Sequence, residues 1–374
     1  MSRTIAGVIL VCLADMAPAD PAESSRVLGS DSCATSGCHG GAGPNRGAHG
    51  IWEVKDPHKK KAATTLKEPL SKQMALKMGI GNAVESASCT ACHAPMRNVE
   101  PSLFAPGSKA QGESFSCANC HGGAENWILS HTRPEYPRAA LAKLGMRPLG
   151  TAYERANNCV ACHQNLSDDL VNVGHPPLIF ELDGLLVAEP KHWREDADFS
   201  HARTWLVGQA VALREAAAQA AREPGDERNA EIAAIGALLT ATATGWNGTE
   251  EPDLVRAADD FAKRISEGQM TSAQIRSILD RLLESRKAFE VGAFEMVAAD
   301  HRMRAVGCYA ERLTLAIDRL NQSLVASGQK AAVADKPLDD LFNAAQPPKS
   351  FNADVAENFV RKLDDVSRST GKAE

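Results

Sequence analysis

Four times in its first half, the chain repeats a pair of cysteines followed at once by a histidine. Three copies share a two-residue spacer: Cys89, Cys92 and His93; Cys117, Cys120 and His121; Cys159, Cys162 and His163. The remaining copy, Cys33, Cys38 and His39, has a four-residue spacer. Two thiols three positions apart can each add to one vinyl group of a haem, and the histidine beside them is placed to bind the iron from one face. The repeat therefore predicts four covalently bound haem c groups, attached through those eight cysteines, with His39, His93, His121 and His163 as proximal iron ligands. Few residues separate His93 from Cys117, so the second and third haems are expected close in space.

Other uses of the cysteines fit less well. The chain has ten, and those outside the repeat are Cys12 and Cys308. A disulfide framework does not require a histidine after every pair. Zinc could use the paired thiols, but it leaves the four histidines that follow them unexplained. Cys308 stands in a helical pattern and reads as a small buried side chain.

The start of the chain agrees with haem. Arg3 precedes an apolar run from Ile5 to Ala14, and Ala17, Pro18 and Ala19 follow, so residues 1–19 resemble an export signal cleaved after Ala19. Cys12 would leave with it; a lipid anchor on Cys12 is the alternative, although Val11 is bulkier than lipidation signals normally allow. Covalent haem attachment in bacteria takes place outside the cytoplasmic membrane, which makes a periplasmic or otherwise exported protein the expectation. The leader run is too short to span a bilayer, and no other segment is suited to that.

At 374 residues, two domains are expected. Aromatic side chains make up only 5% of the chain, so a folded N-terminal half needs another filler, and porphyrins would serve. The net charge of -6 gives no nucleic-acid footprint. Lys59, Lys60 and Lys61 form the one tight basic run, either a solvated helix face or a docking patch for an anionic redox partner.

The expected fold is mainly α, in two parts. From Ser30 to about Glu195, Gly, Pro, Asn and Ser break up short apolar runs, which reads as short helices and loops packed around haem. Beyond about His201 the pattern becomes that of an α-helical bundle reaching residue 374. Apolar stripes run through Leu254, Ala257, Ala258, Phe261 and Ile265, through Ile275, Ile278, Leu279, Leu282 and Leu283, through Val306, Tyr309, Leu313, Ile317, Leu320 and Leu324, and through Val355, Phe359 and Leu363. Thr271 with Gln274 has the form of a capping box.

After the four proximal ligands, His49, His58, His131, His175, His192, His201 and His301 remain. A haem with histidine on both faces suits electron transfer, whereas an open face can bind a small molecule. Met96 lies too close in sequence to His93 to reach the opposite face comfortably, and His301 reads as a surface residue.

The order CATSGCHGG, Trp52 with DPH at Asp56 to His58, CTACH, SCANCHGGAENWILSH, CVACH, GHPPLIFEL and PKHWRE resembles the cytochrome c-554 family of multihaem cytochromes, over roughly Ser30 to Glu195. The resemblance implies that His58, His131 and His175 are distal ligands, and that a distal ligand commonly comes from another haem's segment. Two departures stand out. Relatives often carry a histidine where this chain has Asp168, and larger relatives continue into a further haem unit, whereas Cys308 is followed here by Tyr309, Ala310 and Glu311. The fourth distal ligand is then sought among His49, His192 and His201, with His49 first because it sits near Trp52 on the loop leaving the first unit. Two functions follow. One is a periplasmic carrier passing electrons between redox partner proteins. The other is an oxidoreductase acting on a small nitrogen compound at a five-coordinate haem, with Asp168 and Arg133 as candidate proton donors.

Overall fold

The computed structural model describes residues 25–370, apart from 44–45, 243–244, 247, 249–252 and 291. The export signal and Cys12 lie outside the described residues. Among the described residues the fold is mainly α: seventeen α-helices joined by 3-10 turns, and no strand beyond an isolated parallel bridge between Val27 and Phe104. Among them, no helix is long and apolar enough to cross a membrane. The chain divides into two compact units between Pro148 and Leu149.

The first unit holds seven short helices: α1 (Ala48–Lys55), α2 (Pro57–Lys60), α3 (Ala62–Thr65), α4 (Pro69–Met78), α5 (Ala87–His93), α6 (Cys117–His121) and α7 (Arg138–Lys143). Local chemistry sets their ends. The Ser116 hydroxyl accepts from the Ala118 amide while the Asn119 side chain accepts from the Ser116 amide, which caps α6 from both sides. Such a cap contributes about 1 kcal/mol, a large share for a helix this short. Gly79 stops α4 at φ 68, in the left-handed region. The buried apolar side chains gather in three separate small nuclei, one of Leu66, Ala75 and Ala83, one of Met96, Phe104 and Ala110, and one of Ala124, Trp127 and Leu141, with Trp52, Ala94, Ala105, Phe115 and Ala118 buried outside them. That is little apolar burial with which to order so many loops.

The second unit holds α8 (Ala152–His163), α9 (Asp168–Val173), α10 (Leu182–Ala188), α11 (His201–Arg222), α12 (Asp226–Thr242), α13 (Leu254–Glu267), α14 (Ser272–Leu283), α15 (Arg302–Ala326), α16 (Asp335–Ala344) and α17 (Ala353–Ser369). Here one continuous core runs from Ala156 to Val366. Helix α11 lies at its centre, packed against α8, α10, α12, α13 and α15, and nearly every residue from Ala202 to Arg214 is buried. Helix α8 carries the fourth cysteine–histidine motif and gives Ala156 and Val160 to this core. Asp259 of α13 ties it in place by accepting from the Tyr153 hydroxyl at 2.7 Å and from Arg214 of α11 at 2.6 Å.

Candidate haem sites

In the three motifs with the short spacer, the pentapeptide is the last part of a helix, and the histidine is its final residue. Helix α5 ends at His93, α6 at His121 and α8 at His163. On a helix, residues separated by three and four positions share a face, so both thiols and the imidazole of each motif project to one side. The sequence also supplies what stops the helix there. Gly122, after His121, has φ +82, a conformation that side chains with a Cβ rarely adopt.

The first motif reaches a similar closure by another route. A 3-10 helix, Ser30–Cys33, ends at the first cysteine, and the chain then turns through Cys38 to His39. The His39 amide donates to the Cys33 carbonyl at 3.1 Å. In a helical motif the corresponding bond runs from histidine to the first cysteine four residues back. The two extra residues are therefore absorbed in a loop, and the first cysteine and histidine stay linked. Gly40 is needed here, because a Cβ on it would collide with the Ala34 carbonyl oxygen.

The histidines show what the motifs could hold. The rings of His39 and His131 lie 6.1 Å apart, centre to centre, and within 20° of parallel. Two imidazoles on opposite sides of one metal atom, each nitrogen about 2 Å from it, have ring centres about 6 Å apart. The Nδ1 of His131 donates to the Trp127 carbonyl at 3.3 Å, and the Trp127 ring meets the His131 ring edge-on. His93 donates from Nδ1 to the Ala62 carbonyl at 3.2 Å, and His175 to the Pro176 carbonyl at 2.8 Å. His58 donates from Nδ1 to the Asp56 carboxylate at 3.0 Å, and its ring lies against Phe115, just before the third motif. In each case a carbonyl or carboxylate acceptor fixes the proton on Nδ1 and the lone pair on Nε2, the orientation found around metal-binding histidines.

Other candidates are placed as follows. The His49 amide donates to the His39 carbonyl at 2.9 Å, and its ring tilts against Trp52. His192 meets the Trp193 ring edge-on. His201 opens α11 and donates from Nδ1 to the fully buried Asp183 at 2.9 Å. His301 lies 3.7 Å from Asp300, just before α15. Met96 is buried with Phe104 and Ala110. Asp168 forms a two-pronged ion pair with Arg228 at 2.8 and 3.2 Å, and Arg133 is exposed.

Among the described residues, no disulfide joins the motif cysteines or Cys308. Cys33 and Cys117, from the first and third motifs, are neighbours. The Cys117 thiol, with burial, pushes the Cys33 thiol far above its ordinary range. Cys308 is different in kind: burial, with the negative charge of Glu231, pushes its thiol up to about 12, which makes it an inert core group.

Haem fits this donor set. The paired thiols leave from one face with their histidine, the rings of His39 and His131 lie close together and near-parallel, and the first unit has few apolar side chains of its own for a core. Sequence reasoning missed Asp56, Ala62 and Trp127 as groups that orient histidines. Asp56 stood in the quoted DPH segment, but a backbone carbonyl such as that of Ala62 leaves no mark in a sequence.

These features define a multihaem c-type site. Comparison with known proteins agrees: residues 75–164 match the family model of cytochrome c7 and related cytochrome c. The likeness implies covalently bound haem c and electron transfer for this region. No curated protein and no solved structure matches the chain.

Proposed function

We propose that the chain is an exported c-type cytochrome of the c-554 type, with four haem c groups, which passes electrons between redox partner proteins outside the cytoplasm. When bound, the haems supply one-electron iron chemistry. The protein holds and orients them. Cys33 and Cys38, Cys89 and Cys92, Cys117 and Cys120, and Cys159 and Cys162 anchor them, and His39, His93, His121 and His163 ligate from the proximal side. His131 serves the iron of His39, and His58 and His175 are the further distal ligands. His49 is held back-to-back with His39 through the backbone and remains the candidate for the last position. Hydrogen bonds from Nδ1 to Asp56, Ala62, Trp127 and Pro176 keep the ligand nitrogens aimed.

The observation that carries this reading is the His39–His131 pair, because two near-parallel imidazoles at that spacing suit an iron closed on both faces. A closed iron carries electrons and binds no substrate. The pairing of Asp168 with Arg228 supports the carrier over catalysis on a small nitrogen compound, since that carboxylate is already committed to a guanidinium.

The test is a pyridine haemochrome assay with the intact mass of the mature protein. Four haems per chain, and a mass that has lost residues 1–19, are expected. Fewer haems, or a retained leader, would overturn the count or the export. Uptake of cyanide by the oxidised protein would restore the catalytic alternative.

A further inference from the structure

Helix α4 turns Met74 and Met78 partly inward but leaves two leucines outside. It buries the small side chains of Ser71 and Ala75 and exposes Leu70 at 47% and Leu76 at 80%. On a helical wheel the outward face, opposite Ser71 and Ala75, presents Leu70, Gln73, Leu76 and Lys77. One exposed leucine needs no explanation. Two on the outside of a helix that turns serine and alanine inward, on a face shared with Gln73 and Lys77, are apolar contacts open to a partner.

The surrounding charge says what kind of partner. From residue 53 to residue 77 the chain bears Lys55, Lys59, Lys60, Lys61, Lys67, Lys72 and Lys77 against Glu53, Asp56 and Glu68. Asp56 is buried and bound to His58, and Glu53 is paired with Lys59 at 3.2 Å. On a chain of net charge -6, this stretch is a local excess of positive charge. The Ser71 hydroxyl donates to the Thr65 carbonyl at 2.7 Å, which fastens α4 to the lysine-bearing segment. Apolar side chains with lysines around them match the usual plan of an interface, an apolar centre and a charged rim.

The same stretch supports two of the imidazoles described above. It contains His58, and its Ala62 carbonyl orients His93. A partner docked here would sit against backbone that positions iron ligands.

We propose that residues 53–77 form the docking face for a redox protein with an acidic surface, which gives or takes one electron there with no bond made or broken. This rests on the reading of the chain as a multihaem cytochrome and names the chemistry of its partner. An anionic lipid surface would answer to the same charge, but nothing in lipid recognition calls for iron ligands in the docking segment.

The experiment titrates the mature, full-length protein with a strongly acidic plant-type [2Fe–2S] ferredoxin, following binding by calorimetry, with haem content counted separately on the same sample. Binding is expected to weaken about tenfold between ~10 mM and ~200 mM salt. The Lys60→Glu, Lys61→Glu, Lys72→Glu variant should lose about tenfold at low salt and most of the salt dependence. The Leu70→Ser, Leu76→Ser variant should weaken binding severalfold with its haem absorption and salt dependence unchanged. Unchanged affinity and salt slope in the lysine variant would overturn the proposal. So would binding to phosphatidylglycerol vesicles with none to the ferredoxin, or a leucine variant whose haem absorption shifts while its affinity stays, which would make those leucines a cover for haem. A low haem count on a sample that still binds would defeat the cytochrome reading and leave the docking face standing.

Discussion

The imidazoles of His39 and His131 lie 6.1 Å apart and within 20° of parallel, although one belongs to the first cysteine–histidine motif and the other follows the third. Cys33 and Cys117, the first cysteines of the same two motifs, are also neighbours. The segment from Ser116 to His131 therefore works as a strap. One end holds the third motif on α6, and the other returns to the first motif with a histidine oriented by Trp127. A change in this segment should be felt at two sites together.

Replacing Cys120 with alanine tests whether haem forms part of the first unit's interior. Its apolar nuclei are small and separate, so loss of one haem attachment should lower the melting midpoint of that unit by on the order of 5–10 °C. The second unit, with its continuous core, should melt as before. Calorimetry resolves the two, and an unchanged first transition would show that side chains alone hold the unit.

Thiol counting checks the covalent chemistry from the other side. If every motif cysteine is a thioether and the leader is gone, Cys308 is the remaining thiol. With its thiol pushed up to about 12, it should not react with a disulfide reagent in the native protein at about pH 8, and a single thiol per chain should titrate on unfolding. Several reactive thiols would point to zinc or to unfilled motifs.

Stability in acid should depend on Asp259. Burial works against its carboxylate, but hydrogen bonds from Lys263, Tyr153 and Arg214 outweigh this and hold its pKa below the ordinary 3.8. A carboxylate lowered in the fold stabilises it above the unfolded value, and that contribution is lost as pH falls through the folded value. The melting midpoint of the second unit should drop between about pH 5 and about pH 2, and Asp259→Asn should make the drop shallower. Equal slopes in both proteins would contradict this.

Much of the helical half was legible from side-chain periodicity. The stripe from Val306 to Leu324 is buried throughout in α15, Ile275 to Leu283 line the buried side of α14, and Thr271 with Gln274 forms the capping box. Helices α11 and α12 left no such stripe. The first half of α11, buried on nearly all sides, loses the contrast that makes a period visible, and alanine fills much of the helix. The textural boundary near His201 is likewise not where the compact units part. Helix α8 reads as part of the haem-rich region through Cys159, Cys162 and His163, yet its Ala156 and Val160 pack in the helical core. At the sites, helical spacing made the three regular motifs plain. The pairing of His39 with His131 was beyond reach, because it depends on how a loop folds back and not on any spacing.

The most direct test of the account is low-temperature EPR of the oxidised protein with His131 replaced by glycine. We expect one low-spin haem of the wild type to become high-spin, to take up added imidazole and so return to low spin, with the other haems unchanged. A spectrum identical to that of the wild type would show that His131 is not an iron ligand, and would contradict the shared site of His39 and His131.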